Sequence, residues 1–214
     1  TAGPRTIIIP ILNIYGTGAR VQKELPDCTV LDGCIYVSAS LEHPGVLVQH
    51  GPILRVVFGP RDPSYISPIL SAIQSDLCES GIDGVLSTHI QRDALEKFSY
   101  VSPIGASGVY LHAVAGDFQK EGPARELFKS MIREISALAA AMGYPFEKDY
   151  VKINLEILSN LSADATTSMQ RDIMEGKSSE LDGLVMEPLR LAKKYSVSMP
   201  CYEEVAKVLC PLEF

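Results

Sequence analysis

Lys97 stands in the run Ala94-Leu95-Glu96-Lys97-Phe98, at the edge of an apolar stripe with helical spacing. A lysine at such an edge ordinarily lays its methylenes along apolar surface and keeps its ammonium in water. The same ammonium, protonated at neutral pH, can give a proton to a carbonyl oxygen as hydride arrives at the carbon. A second group is Thr166-Thr167-Ser168-Met169-Gln170-Arg171-Asp172. Thr167 and Gln170 have the spacing of a capping box, which makes Thr167 an N-cap and puts Ser168 in the first turn. Such a start either only begins a helix, or it offers a free hydroxyl and unpaired backbone N–H groups to the carboxylate of an acid substrate. Ser178-Ser179-Glu180-Leu181-Asp182 repeats the pattern, with Ser179 as cap, Asp182 as its partner and Glu180 in the first turn. There the helix dipole alone accounts for a carboxylate.

The remaining candidates are weaker. Gly16-Thr17-Gly18-Ala19-Arg20-Val21 lies between a strand and a helix. The dinucleotide fingerprint asks for glycine where Val21 stands, so the segment reads as an ordinary strand-to-helix turn. The histidines at 43, 50, 89 and 112 are scattered, and none sits four residues from another as a helical metal pair requires, so no metal site is expected. GxSxG, HExxH and GxxxxGK are absent, which disfavours serine hydrolases, zincins and P-loop enzymes.

Those side chains must be positioned by two kinds of structure. Thr6–Ile14 is a β-branched run that reads as a strand buried on both faces of a parallel sheet. A short helix at Ala19–Leu25 follows, then three β-rich stretches, Val30–Ser38, Val46–Gln49 and Leu54–Phe58, divided by turn signals at His43-Pro44-Gly45 and Gly51-Pro52. Pro63 and Ser64 precede an amphipathic helix that runs to Leu77 and is stopped by Gly81, before a strand at Gly84–Ser87. From Gln91 the periods are helical to the end. A first helix carries Lys97 and is softened or interrupted by Pro103, Gly105 and Gly108. The most regular stripe runs from Leu127 to Met142, and further helices are read at Asp149–Leu161, Thr167–Glu175, Ser179–Tyr195 and Tyr202–Leu209. The expected division is a strand-rich part over 1–90 and an all-helical part over 91–214.

Composition sets the class. With 46% hydrophobic and 21% charged residues in 214, the chain has the makeup of a globular protein with a sizeable core. A net charge of -7 and no Lys/Arg cluster speak against a nucleic-acid partner. No apolar run reaches the length of a membrane helix, and no membrane association is expected. Five cysteines without a CxxC pair argue against a disulfide framework and a zinc site, and a reducing cytoplasm is the simplest home.

Together the segments resemble the ketopantoate reductases (2-dehydropantoate 2-reductases). Thr167-Ser168-Met169 with Asp172, then Gly176-Lys177, then Glu180-Leu181-Asp182 is similar to the (S/T)SMxxD…G(R/K)xxE(I/L)(D/E) signature of that family. Leu95-Glu96-Lys97-Phe98 resembles its WEKF-type helix start, and Met199-Pro200 and Pro10–Gly18 also fit. The resemblance implies the C-terminal half of a Rossmann-type domain followed by the family's helical domain, and NADPH-dependent reduction of a 2-oxo acid on the route to coenzyme A. It implies Lys97 as general acid, Glu180 as a polar group at substrate and cofactor, Ser168 on the substrate carboxylate, and Tyr15 and Gly16 at the cofactor, in a homodimer. Tyr15, Val101 and Leu95 depart from the family's asparagine, asparagine and tryptophan, so a related 2-oxo acid stands beside ketopantoate as the expected substrate. The family's N-terminal GxGxxG segment does not precede Thr1, and the chain reads as truncated, with weak or no binding of NADPH alone. The other reading is a non-catalytic helical dimerisation or binding module.

Overall fold

The computed structural model describes residues 3–211 and divides into two compact units, Thr1–Ala94 and Leu95–Phe214. In the first unit, β1 (Ile7–Ile8) pairs in parallel with β2 (Thr29–Val30), and α1 (Thr17–Glu24) connects them. The strand expected over Thr6–Ile14 is therefore only two residues long. Its partner offers two residues, and Pro10 has no N–H to carry the ladder on. Ile11 and Leu12 are exposed as a consequence.

β3 (Asp32–His43) and β4 (Val46–Gly59) form a long antiparallel hairpin, and β5 (Asp83–Leu86) lies parallel to β4. The hairpin turn is Pro44-Gly45, with Gly45 at φ 85, the left-handed position that glycine fills without steric cost. Gly51-Pro52 does not end a strand as expected. Val37 pairs with Leu54 and Ala39 with Gln49, so residues 50–53 bulge out of β4 and the strand resumes beyond them. A helix, α2 (Pro68–Glu79), returns the chain from β4 to β5. It closes at Gly81 (φ 82), where Ile82 N–H reaches Leu77 O at 3.0 Å and Gly81 N–H reaches Cys78 O at 3.0 Å. Strand alternation sends Val56 and Phe58 to a core shared with Leu70 of α2, and Cys34 and Val57 to the opposite face against Ile90.

The second unit is all-helical: α3 (Ile90–Leu111, most of its length), α4 (Ala115–Gln119), α5 (Pro123–Ala141), α6 (Tyr150–Ser159), α7 (Ser168–Met174), α8 (Glu187–Tyr195) and α9 (Pro200–Leu209). The stripe on α5 is its core, with Phe128, Met131, Ile132, Ile135, Leu138 and Ala139 all buried. Phe128 meets Tyr100 of α3 and Phe118 of α4 edge-on, with ring centroids 6.0 and 5.9 Å apart.

α3 continues through Pro103, so of the two expected outcomes the interruption does not occur. Pro103 has no N–H for the Ser99 carbonyl four residues back. Asn154 of α6, itself buried, supplies the missing donor: its Nδ2 reaches Ser99 O at 3.0 Å and Ser99 Oγ at 3.1 Å. Asn154→Ala strands that carbonyl, and a chemical-denaturation midpoint should report a loss of about 2 kcal/mol. Gly105 and Gly108 are likewise not breaks but close approaches. A Cβ at Gly105 would stand 3.1 Å from Met169 Cε, and one at Gly108 would stand 2.8 Å from the Gln170 amide.

Glu134 of α5 caps the start of α9 from outside, accepting the N–H of Cys201 at 2.8 Å and of Tyr202 at 3.1 Å. Burial raises its carboxyl above the ordinary value, while the two N–H bonds pull it down by less. A raised carboxyl contributes stability that is complete below its unfolded value and is lost as pH rises through its folded value. Denaturation midpoints of Glu134→Gln relative to the parent should therefore drift in favour of the variant as pH rises above the ordinary glutamate range.

Candidate functional site

Lys97, Ser168 and Glu180 all fall in the helical unit. Lys97 lies two turns into α3 and is half-buried, between the buried Leu95 and Phe98. Lys97, Val101, Gly105 and Gly108 succeed one another at steps of four, four and three residues, so they share one face of the helix. The glycine end of that face meets the start of α7 at Met169 and Gln170, and at Gly105 it also meets Leu184. Lys97 stands about 12 Å along the axis from Gly105.

Ser168 is the first residue of α7. Thr167 is the N-cap, and the capping box forms in full: Gln170 N–H reaches Thr167 Oγ1 at 3.2 Å, and Thr167 N–H reaches Gln170 Oε1 at 2.9 Å. Gln170 Nε2 then donates to Ala113 O at 2.8 Å, which fastens this helix start to the end of α3. The Ser168 side chain is exposed, and its hydroxyl makes no hydrogen bond among the described residues.

Glu180 is half-buried and lies one residue before the helical turn that opens at Leu181. Its carbonyl accepts the Leu184 N–H at 2.9 Å, so Glu180, and not Ser179, occupies the cap position. The single helix expected over Ser179–Tyr195 is instead a π turn, Asp182–Met186, running into α8. The cause is Pro188, whose ring would clash with the Leu184 carbonyl in a regular α-helix. Glu187 N–H reaches back to Asp182 O, five residues away. The Asp182 carboxylate takes two hydrogen bonds from Arg190, each 2.8 Å, and Glu187 a third at 2.8 Å. These bonds, Asp182 first, press the guanidinium further toward its charged form.

The Leu184 carbonyl is met by Ser102 Oγ of α3 at 2.6 Å, and Ser102 Oγ lies 2.5 Å from the Tyr202 hydroxyl of α9. Sequence reasoning passed over this pair. The signal was Pro188 inside an expected helix, which demands an outside donor for residue 184. α3 and α7 thus carry Lys97 and Ser168, the π turn follows Glu180, and the three elements are tied together at Gly105 and Ser102.

Tyr15 and Gly16 belong to the strand-rich unit. Tyr15 is buried, and its hydroxyl donates to Gln91 Oε1 at 2.6 Å. Gln91 Nε2 in turn donates to the Asp32 carboxylate, which Arg61 holds at 3.4 Å while also donating to Val30 O at 2.9 Å. The tyrosine ring is therefore committed to this network. Gly16 caps α1 with φ 78, and a Cβ there would meet nothing within 4 Å. Gly18 is different: its Cβ would stand 1.9 Å from Asp32 Oδ1 and 2.3 Å from Leu31 O, so glycine is required for packing. Among the described residues, no group of His, Cys, Asp and Glu could hold a metal ion, and no helix is long and apolar enough to cross a membrane.

Comparison with known proteins gives a consistent result. Residues 89–213 match the family described as "Ketopantoate reductase PanE/ApbA C terminal". An uncharacterized oxidoreductase of Bacillus subtilis (strain 168) is 22% identical over 200 residues, covering 94% of this chain and 66% of that protein. The 2-dehydropantoate 2-reductase of Aquifex aeolicus is 24% identical over 211 residues, covering 97% and 68%. The chain spans about two thirds of the length of these curated relatives. Its fold is that of the 2-dehydropantoate 2-reductase from Methylococcus capsulatus, with a TM-score of 0.87 at 23% identity over 99% of this chain and 67% of the other. A D-mandelate dehydrogenase solved with NADH and anilino(oxo)acetate shares the fold at a TM-score of 0.80 and 18% identity, covering 94% and 66%. So does a dimeric ketopantoate reductase from Staphylococcus aureus, at 0.81 and 20%, covering 97% and 68%.

Proposed function

We propose a function from one premise: this chain belongs to the ketopantoate reductase family, whose match takes in more than half of its residues. The reading is an oxidoreductase that reduces ketopantoate, or a related 2-oxo acid, to the 2-hydroxy acid with NADPH. The observation that carries it is that Lys97, Ser168 and Glu180 all lie inside the matched segment, on elements joined at Gly105 and Ser102.

Each residue has a task suited to its setting. The Ser168 hydroxyl, exposed at the head of α7, donates a hydrogen bond to the substrate carboxylate. Lys97, protonated on its half-buried face of α3, polarises the 2-oxo group and delivers the proton that its oxygen needs. The Glu180 carboxylate accepts a hydrogen bond from the hydroxyl that forms. Gly16, with open space at its α-carbon, would hold the nicotinamide edge, whereas the Tyr15 side chain, spent on Gln91, would serve through its backbone alone. When bound, a reduced nicotinamide supplies hydride to the carbonyl carbon.

The assembly fitting this reading is a cytoplasmic homodimer. A panel of 2-oxo acids offered to the natural polypeptide with NADPH and with NADH tests the function by nicotinamide absorbance. Turnover of ketopantoate or a branched relative, faster with NADPH, is the expected result. Absence of turnover on every acid with both cofactors contradicts it.

A further inference from the structure

Two prolines in the helical unit each leave a carbonyl without its helical donor, and the replacements differ in kind. Ser99, orphaned by Pro103, is served by Asn154 within the core of α3 and α6. Leu184, orphaned by Pro188, is served by a two-member relay from two other helices, Tyr202 of α9 and Ser102 of α3. Tyr202 and Ser102 have no exposed surface. Leu184 also donates its N–H to the carbonyl of Glu180 at 2.9 Å. A continuous chain of hydrogen bonds therefore runs from α9 through α3 and the π turn to the backbone of Glu180. Ser102 is five residues beyond Lys97 on the same helix.

We propose that Ser102 and Tyr202 are positioning residues for the reaction, which hold the π turn in register with α3 and thereby fix Glu180 relative to the helix that carries Lys97. This rests on the role given to Glu180 above. π turns are uncommon and are retained where a local widening places a side chain. Here the widening is dictated by Pro188, and the buried hydroxyl pair ties it to α3 and α9. Ser102 and Tyr202 touch neither substrate nor cofactor in this scheme and act through Glu180.

The test is a double-mutant cycle on the natural polypeptide, with amide exchange as a second readout. Ser102→Ala should lower kcat/KM by about tenfold in the parent but by less than about twofold in a Glu180→Ala background, because the residue it positions is then gone. Equal losses in both backgrounds would mean a merely structural serine and overturn the proposal. Tyr202→Phe, which keeps the ring and the Ser102 bond to Leu184, should give a smaller loss with the same dependence on Glu180. Exchange of the Leu184 amide should quicken by about tenfold in Ser102→Ala while amides of α5 stay unchanged. An unchanged Leu184 amide overturns the proposal even if no 2-oxo acid is turned over; absence of turnover in the parent strikes at the functional reading instead.

Discussion

Lys97→Ala should lower kcat for 2-oxo acid reduction by about 10²- to 10⁴-fold, the range that a positioned general acid contributes. The half-buried side chain adds little packing, so the thermal midpoint should move by no more than about 1 kcal/mol equivalent. Reduction leaves negative charge on the former carbonyl oxygen. The ammonium both stabilises that charge and supplies the proton, and alanine does neither. The loss should appear in kcat and in kcat/KM together, since the contact is made as charge develops and not in the ground state. Lys97→Arg separates the two tasks: it keeps the charge but holds its proton too tightly to give it up, and should recover only part of the rate. Single-turnover kinetics at saturating acid check both variants. A Lys97→Ala protein with parental kcat would remove the lysine from the chemistry.

The second large effect is expected at Ser168 and falls on a different constant. Ser168→Ala should raise KM for the acid by about 10- to 100-fold, the worth of a hydrogen bond to a charged partner, with kcat changed by about twofold or less. The serine is exposed, at the first position of a helix whose cap is made by Thr167 and Gln170. Its removal therefore leaves the capping box intact, and stability should be unaltered within about 0.5 kcal/mol. The measurement is steady-state kinetics beside calorimetric binding of the acid. An unchanged KM would assign the carboxylate to another group and leave Ser168 as a surface residue.

Much of the arrangement is written in local signals. The capping box at Thr167 and Gln170 appears as the spacing predicts, because both partners lie within one helical turn. Asp149 likewise caps α6 through the N–H groups of Val151 and Lys152, and Gly81 stops α2 in its left-handed conformation. Features that depend on a distant partner were not legible. Gly51-Pro52 has the residues of a turn, yet the pairing of Val37 with Leu54 turns it into a bulge within β4. Pro103 has the look of a helix break, but Asn154, far along the chain, supplies the donor that lets α3 continue. Pro188 likewise falls inside an expected single helix, which becomes a π turn running into α8 with Ser102 as the donor to Leu184 O. The first strand, β1, shows the same dependence: nine residues with strand character give two in the ladder, because the ladder needs a neighbour and not only propensity. The candidate site follows this division. Its three side chains stand in recognisable local motifs, while the hydroxyl pair that ties their elements together is visible only in three dimensions.

The most direct test of the central claim follows the hydride. The natural polypeptide would be incubated with ketopantoate and with NADPH carrying deuterium at the reactive face of the nicotinamide, and the acid product examined by mass spectrometry. The expected result is pantoate one mass unit heavier, with the label on the carbon that bore the oxo group and with formation slowed by about 10²- to 10⁴-fold in Lys97→Ala. Recovery of the unreduced acid from ketopantoate and from a panel of related 2-oxo acids, with deuterated NADPH and NADH alike, would contradict the claim.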